Sequence, residues 1–324
     1  MRALVTGASG FIGSQLCRAL LARGFQVRAF HRPTSPLRLL EGLEVEHAVG
    51  DLTRPETLTA AMQDVEVVFH AAAWMGGNDP GRFYAVTVEG TRAVLAAALQ
   101  HGVRRVVHTS SAAALGVPEV KGDCLMNENH TWNLRPDVYP YGYAKYLAEM
   151  EVQKAVAQGL DVVIVNPTMV FGAGDLYRQS RSILMQVAAG KVGVTIEGGI
   201  NVVHIADVVD GHLAAFEKGR TGERYLLGGE NLSYLSMLQK MAAVTGGPAP
   251  SLVIPAWLAR TLGRVARVFR NVLDLPVEPD LLQLAGYSFY YDTRKAEVEL
   301  GVRASRPAEE AFAEAYAWFT SQGK

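Results

Sequence analysis

Tyr141 and Lys145 stand four residues apart in the run Tyr139-Pro140-Tyr141-Gly142-Tyr143-Ala144-Lys145. On a helix this spacing puts both side chains on one face, about one turn apart. A tyrosine with its ordinary pKa of about 10 carries protons poorly near neutrality, and a neighbouring ammonium favours the phenolate. The two together form a general acid/base. Such a pair also occurs on many exposed helices, so its meaning depends on the rest of the chain.

A second feature with chemical content is Leu4-Val5-Thr6-Gly7-Ala8-Ser9-Gly10-Phe11-Ile12-Gly13. Glycine recurs at every third position from Gly7, where a strand pattern gives way to an amphipathic helix. Glycine there permits a tight turn and close approach of a pyrophosphate, while the helix N-terminus offers N–H donors and partial positive charge. Gly7, Ser9, Gly10, Phe11, Ile12 and Gly13 are therefore the expected dinucleotide cradle, although the spacing is G-x-x-G-x-x-G and not the general G-x-G-x-x-G. The second strand ends Phe30-His31-Arg32 with no carboxylate for a ribose 2′-hydroxyl. Arg32 and Arg38 could face a 2′-phosphate, so NADP is expected over NAD; the alternative is a pair of solvated loop arginines. Asp51-Leu52 after the third strand and Ala71-Ala72-Ala73 after the fourth complete the expected cofactor contacts at strand ends.

The elements that must position these residues follow from periodicity. Short β-branched runs at 3–6, 26–30, 45–49, 65–70, 105–109 and 161–166 read as strands, and 11–23, 55–62, 83–101 and 141–158 as helices. This alternation predicts an α/β fold with a doubly wound parallel Rossmann sheet and a smaller C-terminal substrate-binding cap. The nucleotide-binding part is expected over 1–166, with the chain returning to it around 207–229 through a strand at 223–227. The cap is expected over 167–206 and 230–324. Among 324 residues, 31 Lys and Arg balance 32 Asp and Glu for a net charge of −1, which argues against nucleic acid as a partner. Cys17 and Cys124 are too few for a disulfide framework and lack metal-ligand spacing, so no metal is expected. No apolar run reaches the roughly 18 residues of a membrane span. With no basic and apolar leader after Met1, a cytoplasmic setting is expected.

The ordered set of glycine triplet, Asp51-Leu52, triple alanine and Tyr141-x-x-x-Lys145 resembles the extended short-chain dehydrogenase/reductase family, within the NAD-dependent epimerase/dehydratase superfamily. The resemblance covers nearly the whole chain. It implies hydride transfer between a nicotinamide and a substrate carbon, with Tyr141 passing the proton, Lys145 holding the nicotinamide ribose, and a Ser or Thr orienting the substrate oxygen. Counting back from Gly116 gives that last role to Ser111, with Ser110 as the alternative, and puts Thr109 beside the cofactor. Asn166-Pro167 and Val170 match the family's turn against the nicotinamide, with Asn166 where arginine is more frequent. Thr87 stands where many members carry asparagine, which weakens the case for a proton relay there.

Ala112 and Ala113 follow Ser111 where sugar dehydratases place an acidic pair, which argues strongly against that branch. The arginine pattern, Asn166-Pro167 and the run from His204 to His212 look like the dihydroflavonol-4-reductase-like and hopanoid-associated sugar-epimerase-like proteins. For His204 and Asp207 a structural role is expected, with Asp207 capping a helix. From 255 to 273, apolar residues alternate with Arg260, Arg264, Arg267 and Arg270. This segment reads as a lid helix with a solvated basic side or, alternatively, as a contact with an anionic membrane surface. The leading functional reading is an NADP(H)-dependent carbonyl reductase, or reverse alcohol dehydrogenase, for an apolar small molecule. The alternatives are an NAD-dependent nucleotide-sugar epimerase and a non-catalytic dinucleotide sensor, the last opposed by retention of both Tyr141 and Lys145. A homodimer built on the helices at 83–101 and 141–158 is compatible with the pattern.

Overall fold

Runs such as Ala3-Leu4-Val5 and Val67-Val68-Phe69 have no polar side to turn toward water, which suits strands covered on both faces. The computed structural model describes residues 1–74, 77, 79–120, 124–176, 183–268 and 281–321, without side chains at 266–268 and 281. The chain begins β1 (Arg2–Thr6), α1 (Phe11–Ala22), β2 (Gln26–His31), β3 (Glu46–Val49), α2 (Glu56–Ala61), β4 (Val67–His70) and the single turn α3 (Pro80–Arg82). It continues through α4 (Gly90–Gln100), β5 (Arg105–Thr109), β6 (Leu125–Met126), α5 (Pro140–Ala157), β7 (Val162–Pro167), β8 (Met169–Phe171) and α6 (Ile183–Ala188). Then come β9 (Val194–Ile196), β10 (Gly199–His204), α7 (Ile205–Lys218), β11 (Arg224–Leu227), β12 (Glu230–Ser233) and α8 (Tyr234–Thr245). The last elements are β13 (Leu252–Ile254), α9 (Ala256–Val268), β14 (Ser288–Tyr291) and α10 (Ala308–Ser321).

Seven strands form one parallel sheet in the order β11-β7-β5-β4-β1-β2-β3. Side chains alternate between its faces: Ala3, Val5, Phe69, Val107 and Val163 meet α1 and α7, whereas Leu4, Val68, Val106, Val162 and Ile164 meet α2, α4 and α5. Each fully buried Val or Leu of this kind contributes about 1.5–3 kcal/mol. The architecture is thus the expected doubly wound α/β sheet, and the strand read at 223–227 does rejoin it, as β11 beside β7. The helix read at 83–101 is divided. Residues Phe83–Glu89 form a π-helical turn before α4, and Thr91 Oγ1 donates to Thr87 O at 2.6 Å, a side-chain bond that competes with the regular ladder.

The later segments build a smaller sheet, β12-β10-β14-β6, with β8 paired to β10. Phe171, Leu184, Met237, Leu238, Met241 and Phe312 form the apolar centre between this sheet and α6, α8 and α10. A two-stranded ribbon, β9 with β13, lies under α9. Among the described residues no helix is long and apolar enough to cross a membrane.

Candidate active site

The order of the large sheet reverses between β1 and β4, and a crevice opens there at the carboxyl ends of the strands. Gly7 turns out of β1 with φ +67°, and a Cβ on it would lie 2.8 Å from Ala72 Cα. A Cβ on Gly13 would lie 2.1 Å from Gly7 O, so α1 can only approach β1 this closely without a side chain. The N-cap of α1, Gly10, has no side-chain bond and the first turn carries no acid. The helix therefore offers its first N–H groups to an anion, the fit that a pyrophosphate requires. Behind the crevice, Thr91 uses its proton on Thr87 O and so accepts from His70 Nε2 at 3.0 Å, leaving His70 Nδ1 to accept from Thr6 Oγ1 at 2.6 Å. Burial holds this ring neutral, down to about 3, with the Lys145 charge acting in the same direction. The chain of bonds fastens β1, β4 and α4 beneath the site.

Gly7, Ser9, Gly10, Phe11, Ile12 and Gly13 all face one cavity of about 1100 Å3, as do Arg32, Asp51, Leu52 and Ala71, Ala72 and Ala73. Asp51 Oδ1 accepts from Thr53 N and Oγ1. Burial raises its pKa, but those bonds and the charges of Arg32 and Arg54 outweigh this and hold it below the usual carboxylate value. Arg38 is not among the residues lining the cavity. It opens a short 3₁₀ turn, Arg38–Leu40, and Ser35 lines the cavity instead.

The same cavity reaches Thr109, Ser111, Tyr141, Lys145, Pro167 and Val170. Helix α5 enters on Pro140, whose fixed φ suits a first helical position. In its first turn the Tyr141 ring stands edge-on to Phe83, with centroids 5.9 Å apart. One turn later Lys145 is 3% exposed, and its Nζ donates to Thr109 O at 2.9 Å. Burial brings its ammonium down to about 8, opposed by the charge of Glu149. Ser111 begins a 3₁₀ turn with its Oγ accepting from Ala113 N at 3.2 Å. Thr87 Oγ1 accepts from Trp74 N at 3.4 Å, so the threonine does bond the backbone at that position.

Glu149 is the member of this cluster that sequence reasoning missed. It continues the stripe 141-145-149 and is 2% exposed. Ser110 Oγ donates to its Oε1 at 2.5 Å, Asn166 Nδ2 donates to the same oxygen at 2.7 Å, and Arg224 Nη1 donates to Oε2 at 3.0 Å. The Ser110 hydroxyl is thereby committed to Glu149. Asn166 also donates to Ser111 O at 3.0 Å and is fully buried, so it supports the site from below and does not line the cavity. An acid one turn beyond Lys145 on the inward face was the available signal.

The cap closes the cavity with Ile200, Asn201, Tyr234, Leu284, Phe289 and Tyr291, and Trp74 and Tyr139 add to the same wall. Neither His204 nor Asp207 lines this cavity. The cap of α7 is His204, not Asp207: its Nδ1 accepts from Ala206 N at 3.0 Å, and Asp207 instead pairs with Arg306 at 2.5 Å. Glu310 and Glu314 stand near His204. With Nδ1 accepting a backbone bond, the ring proton resides on Nε2 facing Glu314, which is not a metal-ligating tautomer.

The model of the NAD dependent epimerase/dehydratase family matches residues 3–228. A Synechocystis protein provisionally named a dihydroflavonol 4-reductase is 36% identical over 98% of this chain and 94% of its own length. Sterol demethylase protein B of Methylococcus capsulatus is 36% identical over 100% of this chain and 99% of its own. The crystal structure of gox2253 superposes with a TM-score of 0.88 at 33% identity, covering 99% of this chain and 98% of that one. Relatives of this kind carry the names of reductases and dehydrogenases. A glycine cradle at the sheet's switch point, matched along most of the chain by one family model, identifies the protein as an NAD(P)-dependent oxidoreductase of the NAD dependent epimerase/dehydratase family.

Proposed function

We propose that this protein is an NADP(H)-dependent reductase of a carbonyl, or oxidant of the matching alcohol, in an apolar small molecule. The observation that carries the reading is one cavity whose floor is the glycine cradle with Tyr141 and Lys145, and whose roof is aromatic and aliphatic. The dinucleotide, when bound, supplies or accepts the hydride. Ser111 orients the substrate oxygen, and Tyr141 gives it the proton in reduction or takes the proton in oxidation. Lys145, positive at neutral pH, stabilises negative charge developing on the Tyr141 oxygen. Glu149, Ser110 and Asn166 keep Lys145 and Ser111 in register. Arg32 faces the 2′-phosphate, with no acid at the end of β2 to repel it. The wall of Phe289, Tyr291, Tyr234 and Ile200 favours an apolar ring system or chain, in keeping with the sterol in the name of one relative.

The test is a comparison of NADPH and NADH binding before and after Arg32→Ala. NADPH is expected to bind more tightly, with Arg32→Ala weakening NADPH roughly tenfold or more and leaving NADH unchanged. Tighter NADH binding that ignores Arg32, together with no net absorbance change on turnover, would assign the site to a nucleotide-sugar epimerase.

A further inference from the structure

Helix α9 turns its small residues inward and its large apolar ones outward. Ala256, Ala259 and Gly263 form the buried side, packed near Ile196, Ile254 and Ala285. Trp257 is 64% exposed, Leu262 49% and Val265 52%. At 3.6 residues per turn, these three and the half-buried Leu258 occupy one arc directed away from the protein, with the exposed Arg264 on its edge, whereas the half-buried Arg260 turns back and its Nη1 donates to Ala285 O at 3.0 Å. A lid would do the reverse and put its bulk over the cavity. Arg267 and Val268 lie at the end of the helix with side chains outside the description, and Phe269 and Arg270 lie outside the described residues.

The surroundings extend the pattern. Leu252 of β13 pairs in register with Val194 of β9, and both are exposed. They share a ribbon face with Ile254 and Ile196, the pair beneath α9. The helix also packs on the turn Leu281–Leu284, and Ile196, Leu282 and Leu284 line the active-site cavity. The exposed apolar surface thus adjoins one wall of the cavity. Charge is distributed to match: the segment 256–268 holds three arginines and no acid, in a chain whose net charge is −1.

We infer that α9 docks this protein on an anionic lipid bilayer, lying in the plane of the headgroups with Trp257, Leu262 and Val265 in the acyl boundary and Arg264 at the phosphates. A helix with a large apolar arc and a basic flank binds in this way, and each arginine near such a surface strengthens binding roughly fivefold. Docking would hold the Leu282–Leu284 wall of the cavity behind α9, about one helix diameter from the lipid. This inference concerns location and stands apart from the redox reading.

The test is sedimentation of the full chain with phosphatidylcholine vesicles, with and without about a third phosphatidylglycerol, at low salt and at about 0.5 M salt, where charge is screened within a few ångströms. Binding is expected to rise at least tenfold with the anionic lipid and to fall back in salt. Arg264→Glu and Trp257→Ala should each weaken it several-fold while NADPH binding and the circular dichroism spectrum stay unchanged. Sedimentation indifferent to lipid charge would overturn the inference. So would a concentration-dependent dimer abolished by Trp257→Glu, which would assign the face to a second copy of the chain.

Discussion

On the sheet side of the cavity most contributing segments are strand ends with the turns that follow them, Gly7 after β1, Arg32 after β2, Asp51 after β3, Ala71 after β4 and Ser111 after β5, and helix α5 adds Tyr141 and Lys145. On the cap side, Ile200, Tyr234, Leu284, Phe289 and Tyr291 arrive from four separate segments, the strands β10 and β14, the first residue of α8 and a short 3₁₀ turn. The first surface holds polar groups tied into the backbone, such as Asp51 to Thr53 and Lys145 to Thr109. The second is mostly apolar and depends on how distant pieces meet. Chemistry common to a family can therefore reside in the sheet edge while the choice of substrate resides in the cap.

The strongest way to break this division is at Tyr141. Tyr141→Phe is expected to lower kcat about a thousandfold, within the range for loss of a general acid, while NADPH affinity and melting temperature are unchanged. Lys145→Met should reduce turnover comparably but with a different stability profile. Burial brings Lys145 down to about 8 from an ordinary 10.5, so between those values the unfolded chain binds more protons and wild-type stability from this group rises with pH. At pH 7 the methionine variant should be at least as stable as wild type, measured by thermal unfolding. A marked loss of stability at pH 7 would mean that Lys145 serves packing more than catalysis.

Next in size is the cradle. Gly7→Ala introduces a Cβ 2.8 Å from the Ala72 backbone at a positive φ, so the turn must shift. Dinucleotide affinity should fall by about a hundredfold, roughly the 2–3 kcal/mol of a displaced phosphate site, as read by fluorescence titration. A cap substitution should do the opposite. Phe289→Ala is expected to raise KM for an apolar substrate about tenfold, the worth of part of one buried aromatic, with dinucleotide affinity unchanged. If Phe289→Ala alters NADPH binding and spares KM, the two surfaces are not divided as described.

This contrast also explains what the sequence disclosed. A strand followed by glycines and a helix is local, so the cradle, the seven strands and the 141-145 pair were legible from neighbouring residues. Asn166 was placed at the correct strand end, yet its role depends on Glu149 and Arg224, 17 residues before it and 58 after it, which no local pattern joins. Arg38 illustrates the converse. Its charge suited a phosphate, but the loop after β2 sends Ser35 to the cavity instead. In α9 the periodicity was visible while its orientation was not, because small residues can lie inward only where another element comes close enough to use the space. The short strands β6, β8 and β9 were missed for a related reason: two or three residues carry no period, and only their partners make them strands.

The smallest expected effect lies on the sheet side and away from the cavity. Arg92 of α4 donates to both Glu151 oxygens on α5, at 2.8 and 3.1 Å, and Lys154 adds a third bond. The Arg92 bonds, against an opposing cost of burial and with help from Lys154, hold the Glu151 carboxyl down at about 2. A carboxyl lowered in the folded state contributes stability above its unfolded pKa of about 4.5, and that contribution is lost as pH falls from there toward about 2. Because Arg92 is 48% exposed, water and salt screen the pair, so about 1 kcal/mol is the reasonable expectation at neutral pH. Arg92→Met should therefore lower the melting temperature by a few degrees at pH 7 and by progressively less as the pH approaches 2, with kcat/KM unchanged throughout. An equal loss of stability at both pH values would mean that the arginine acts through its packed stem, and a fall in kcat/KM would tie the α4–α5 face to the catalytic stripe on the same helix.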